Sequence, residues 1–138
     1  MNERDHEMLP LAPAGWAPPR GYANGVVASG RLVVLAGQIG WNPVTASFET
    51  NDFAQQVRQA LSNIVALLRE AGAEPRHLVR LTWYITDRAA YVTARQQIGE
   101  AYRDAMGTHY PPMSVVIVSG LLDERALVEI EATAALPA

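Results

Sequence analysis

Cysteine is absent from all 138 residues. That excludes disulfides, thiolate catalysis and any zinc or iron–sulfur site built on cysteine. Histidine is scarce, and His6, His77 and His109 stand far apart without the short spacings of metal ligands, so no metal and no cofactor is expected. No stretch approaches the roughly 18 apolar residues of a membrane span. Met1–Met8 carries Glu3, Asp5 and Glu7, and no apolar segment follows, which is not the pattern of a signal peptide. Charge of one sign is also lacking. Fourteen acidic residues against 11 basic give a net charge of −3, which provides no general attraction to nucleic acid or to an anionic membrane. These absences together point to a soluble, cytoplasmic protein.

What is present is an ordinary globular balance, with 49% apolar and 18% charged residues. The length fits one domain. Residues 1–19 read as an irregular arm, because Pro10, Pro13, Pro18 and Pro19 remove backbone donors. Trp16 in this arm is expected to dock on the body or on a neighbouring subunit. Residues 20–138 form the domain. Gly25–Ser29 and Leu32–Ala36 flank Gly30-Arg31, a hairpin signal with glycine first.

Asn51 to Ala71 carries the strongest helical pattern. Phe53, Val57, Leu61, Ile64 and Leu68 recur at spacings of three and four, Asn51 and Asp52 suit the N-terminus, and Gly72 suits the stop. Gln55, Gln56, Arg58, Gln59 and Arg69 read as solvated. Leu78–Thr86 alternates, with Val79, Leu81, Trp83 and Ile85 on one side. Asp87 can cap a second helix from Arg88 to about Met106, ended by Gly107. Tyr110-Pro111-Pro112 leads into a strand at Ser114–Val118, Gly120–Arg125 turns, and Leu127–Ala135 is the last strand. The order is β-β-α-β-α-β-β, an α+β sheet with both helices on one face and hairpins at both ends. The other face would be oily, with Tyr84, Leu127 and the apolar residues of Ser114–Val118, and self-association would cover it.

Five segments in order resemble the RidA/YjgF/UK114 family. Gly21–Val26 is similar to its G-P-Y-S-Q-A-V segment and Ala36-Gly37-Gln38-Ile39-Gly40 to its S-G-Q-I-(G/P) strand end. Gln56–Ile64 matches Q-x-x-x-x-L-x-N-(I/V), and Leu78–Asp87 resembles the strand that closes on aspartate. Val128-Glu129-Ile130-Glu131-Ala132 matches the (V/I)-E-I-E-A signature. The resemblance spans Tyr22 to Ala135. It implies a chorismate-mutase-like fold, a homotrimer, and clefts between subunits in which deaminating members hydrolyse enamines and imines.

In those members an arginine of a P-A-R-(S/T) stretch pairs with the substrate carboxylate. Here the stretch is Pro111-Pro112-Met113-Ser114, and a thioether neither carries charge nor donates a hydrogen bond. Ala36 stands in place of a small hydroxyl residue, and Gln96 near a customary asparagine. Glu129 matches the glutamate that orients the attacking water, a role for which a carboxylate beside an apolar wall is suited; the alternative is an interface ion pair. Tyr22 matches the pocket tyrosine, with a plain buried aromatic as its alternative. Glu131 and Gln38 read as structural, and His109 as an exposed loop residue. Arg31, Arg80 and Arg125 are candidates to replace the missing cation, and spacing selects none of them.

Two functions follow. One is a hydrolytic deaminase of an enamine or imine with a more apolar pocket, in which Glu129 acts and Tyr22, Met113, Gln96 and Ala36 bind. The other is a non-catalytic trimer that holds a small molecule in the same cleft. A role in protein interaction through apolar surface has no feature of its own to support it.

Overall fold

A computed structural model describes residues 8–138. His6, and the acidic residues read against a signal peptide, lie outside them. Helix α1 spans Phe53–Glu70. Asp52 is its N-cap, accepting from the Gln55 N–H at 3.0 Å, while the Thr50 hydroxyl accepts from the Asp52 N–H. Asn51 instead accepts from Arg125. At the other end Gly72 turns left-handed at φ 75°, and the N–H groups of Ala73 and Gly72 close on the Leu68 and Arg69 carbonyls. That double closure satisfies carbonyls the helix leaves open and needs a residue without Cβ penalty at Gly72. Val57, Leu61, Ile64 and Leu68 are fully buried, as the apolar spacing requires.

Gln56 is not solvated. It is fully buried, and its amide spans three backbone groups. Its Nε2 donates to the Thr50 and Arg125 carbonyls, and its Oε1 accepts from the Leu127 N–H. Every polar atom of the amide head thereby finds a partner, which makes burial tolerable. Gly40 lies so close that a Cβ there would stand 2.5 Å from Gln56 Cβ.

The main sheet holds β3 (Arg31–Ile39), β4 (Leu78–Ile85), β5 (Met113–Ile117) and β6 (Val128–Leu136) in the order β3-β6-β4-β5. Neither expected hairpin is present. β2 (Val26–Val27) pairs with β1 (Leu9–Pro10), so the arm is not wholly irregular, and β3 pairs with β6. Gly30, at φ 123°, passes the end of β6 at a point where a Cβ would meet the Leu136 carbonyl oxygen at 1.9 Å. It carries the chain past β6 instead of back onto β2. At the C-terminal side β5 runs parallel to β4, and β6 inserts antiparallel between β3 and β4. A parallel pair needs a crossover, and the helical segment between β4 and β5 supplies it.

That segment is two helices, not one: α2 (Arg88–Thr93), capped by Asp87, and α3 (Arg95–Met106), parted at Ala94. The helices and the inward residues Leu81, Trp83, Ile85, Val128, Ile130, Ala132 and Ala134 form one core. A register slip between Leu78 and Arg80 makes Leu78 the buried residue and leaves Val79 only half-buried. A single turn of 3-10 helix, Pro75–His77, leads into β4. The chain has the α+β, chorismate-mutase-like architecture.

The open face of the sheet is less oily than expected. Its centre is polar, with Glu129, Glu131, Thr82, Tyr84 and Arg80 set side by side by the β4–β6 register. Leu127 precedes the strand. Apolar exposure lies at the flanks, at Leu32 and Val34 on β3 and Val116 on β5. Trp16 is 64% exposed rather than docked on this chain. Among the described residues no helix is long and apolar enough to cross a membrane.

Candidate functional site

Tyr22 and Met113 come together. The Ala23 N–H donates to the Pro111 carbonyl, and Ala23 bridges Pro112, which lays the segment before β2 alongside the entry to β5. Gly21 permits the approach at φ 75°. Met113, the first residue of β5, pairs with Leu81, so its side chain is on the helix side of the sheet. Between β5, α2 and α3 lies a cavity of about 400 Å³ that both residues line. That volume lies within the range of small-molecule sites.

Its floor is aromatic. Tyr102 is buried, stacks on Tyr110 with ring centres 5.0 Å apart, and donates its hydroxyl proton to the His109 carbonyl at 2.6 Å. Burial, reinforced by Tyr110, raises the Tyr102 pKa well above that of a free phenol and keeps it neutral. Trp83 also lines the cavity, is 3% exposed, and its indole N–H has no acceptor among the described residues. A buried donor left so costs about 1–3 kcal/mol. At the mouth stand three exposed arginines, Arg20, Arg95 and Arg103. Among the described residues no carboxylate lines the cavity.

These cations were missed in the sequence, although the signal was present. Arg95, Gly99 and Arg103 recur every four residues, with Tyr102 between them, and so share one face of α3. The expected Gln96, one residue on, is exposed on α3 and outside the cavity lining. Nor do the three arginines read as replacements reach it. Arg31 donates to the Pro137 carbonyl, Arg80 lies on the open face beside Thr82 and Glu131, and Arg125 bonds Asn51 and stacks over Phe48.

Glu129 is elsewhere. It faces Tyr84 on β4 and Ile39 on β3, on the open face, whereas Met113 is on the helix side. A bulge in β3 between Leu35 and Gln38 brings Gly37 against the Glu129 side chain. Glu129 is half-buried, and among the described residues its carboxylate makes no hydrogen bond. Its neighbour Glu131 is engaged, accepting the Tyr84 hydroxyl proton at 2.8 Å. That bond, ahead of burial and the charges of Glu131 and Glu129, raises the Tyr84 pKa. Ala36 is exposed in the same bulge, its carbonyl accepting from Gln38. His109 is half-buried, its Nε2 2.8 Å from the Leu78 carbonyl. One chain therefore holds Tyr22 and Met113 in one place and Glu129 with Ala36 in another.

Residues 14–136 match the family model described as Endoribonuclease L-PSP. A RutC family protein of Aquifex aeolicus is 34% identical over 126 residues, which span 91% of this chain and 94% of that protein. The 2-iminobutanoate/2-iminopropanoate deaminase of Escherichia coli K12 is 32% identical over 123 residues, 89% of this chain and 91% of that enzyme. The solved structure of YyfB, a protein of the conserved Rid family from Yersinia pestis, superposes with a TM-score of 0.79 at 34% identity, covering 94% of this chain and 98% of that one.

Proposed function

Because the chain belongs to the RidA/YjgF/UK114 family, to which the Endoribonuclease L-PSP model corresponds, we propose that it is a hydrolytic deaminase of an enamine- or imine-type metabolite, working as a homotrimer. The observation that carries this reading is Glu129, a half-buried carboxylate seated against Gly37 that makes no hydrogen bond among the described residues. Such a group is free to accept a proton from water. In the proposed reaction water adds its oxygen to the C=N carbon while Glu129 takes its proton. Glu129 returns that proton to nitrogen, which gives a carbinolamine; it then carries the hydroxyl proton to the amino group, the C–N bond breaks as the C=O bond forms, and a carbonyl compound and ammonia leave. An enamine enters the same path after protonation at carbon.

Tyr22 and Met113 cannot meet Glu129 within one chain, since they lie on opposite faces of the sheet. The trimer removes this difficulty if the Glu129 face of one subunit borders the Tyr22–Met113 cavity of the next. A second reading, a non-catalytic small-molecule binder, draws on the absence, among the described residues, of any carboxylate in that cavity.

The test is ammonia release from freshly generated imines: small α-imino acids, aromatic ones and uncharged analogues. Wild-type turnover that disappears in Glu129→Gln supports the deaminase. A silent wild type, with Met113→Arg gaining turnover of small α-imino acids, moves the balance to the binding protein.

A further inference from the structure

We infer that the cavity between β5 and α3 takes an anion with an apolar, planar body, its carboxylate held at the mouth by Arg95 and Arg103. This deepens the proposed function, and rests on it only in treating the cavity as the substrate's place. The argument begins with charge. Among the described residues three exposed arginines and no acidic residue line the cavity, and none of the three makes a salt bridge. Arg95 and Arg103 are held two turns apart on a single helix, with Gly99 between them. A Cβ at Gly99 would stand 3.2 Å from Arg103 Nη1, so the guanidinium lies along the helix towards Arg95. A guanidinium presents two parallel donors to a carboxylate, which suits that group better than an ammonium does.

The interior sets the rest of the ligand. Trp83, Ile98, Tyr102 and Met113 offer apolar and ring surface, against which a flat hydrophobic group packs well. Met113 gives the interior an uncharged thioether, so the cations available to a ligand's charge are the arginines. A ligand that packs on these rings and also meets the arginines needs an apolar group beyond its carboxylate.

Calorimetry with three stable probes tests this: 3-phenylpropanoate, its uncharged analogue 3-phenylpropanamide, and propanoate. The acid is expected to bind at least ten times tighter than either of the others, with affinity falling as salt is raised. The double variant Arg95→Gln/Arg103→Gln is expected to lose that tenfold advantage, and Arg69→Gln, on α1, to keep it. Both substituted arginines are exposed, so folding is preserved and checked by circular dichroism. Equal binding of acid and amide, full affinity in the double variant, or no binding of any probe overturns the inference. Glu129→Gln separates the two readings. If it binds the acid normally while wild type releases no ammonia from any imine, the deaminase fails and the anion site stands. If ammonia release depends on Glu129 but the acid shows no preference, the reverse holds.

Discussion

Gly37 and Glu129 fit each other so closely that a Cβ on Gly37 would stand 2.7 Å from both Cγ and Cδ of Glu129. The glycine is what leaves space for the carboxylate. Gly37→Ala is therefore expected to displace Glu129 and lower ammonia release at least tenfold. The long side chain can swing away, so the stability loss should stay within about 1–2 kcal/mol. Steady-state rates and urea unfolding, measured on the same preparation, check both parts.

Gln56→Leu removes the one side chain that serves Thr50, Arg125 and Leu127 together. Buried backbone groups lose their partners, and a loss of about 2–4 kcal/mol is expected in urea unfolding. A change below 1 kcal/mol would mean that water replaces the amide.

Gly30→Ala puts a Cβ on the Leu136 carbonyl at a left-handed position. Backbone faces backbone, so neither side can step aside cheaply. A loss of at least about 2 kcal/mol is expected, read as a fall in Tm.

His77 is buried, and its Nδ1 accepts the Glu74 N–H at 2.9 Å. Burial, with Arg76 nearby, lowers its pKa below the ordinary 6.5. Below that pH the unfolded chain takes up a proton that the folded chain resists. The contribution of His77 is thus complete above about 6.5 and is lost as pH falls through the lowered folded value. Tm measured between pH 7.5 and 5 should decline, and His77→Gln, which keeps an acceptor but cannot titrate, should flatten that slope.

Leu32 and Val34 are 69% and 73% exposed on the open face. If subunits meet there, Val34→Glu should lower the mass seen by light scattering at micromolar concentration. A wild type that is already monomeric at that concentration would undo the shared site.

Much of the fold was legible because period alone decides which residues go inward. The spacing of Val57, Leu61, Ile64 and Leu68, and the alternation of Val128, Ile130, Ala132 and Ala134, admit only one buried face each. Strand partners were not legible in the same way. Gly30-Arg31 has hairpin chemistry, but β2 finds β1 and β3 finds β6, a preference set by packing across the whole sheet. Gln56 misled because its polarity says nothing of the three backbone groups that folding brings to it. In the candidate site, Tyr22 and Met113 were found from matched segments. Likeness to a customary asparagine points to Gln96 and not to Arg95, because it marks a replaced residue and not a new cation at the adjoining position.

The position of β6 also governs how the molecule is made. It is synthesised after β3 and β4, yet it lies between them and is the only strand of the main sheet that β3 pairs with. Until Val128–Leu136 emerges, β3 has an unpaired edge and β4 lacks one of its two neighbours. The main sheet therefore cannot be completed before this segment is made, and the half-built sheet is open to mispairing with other chains.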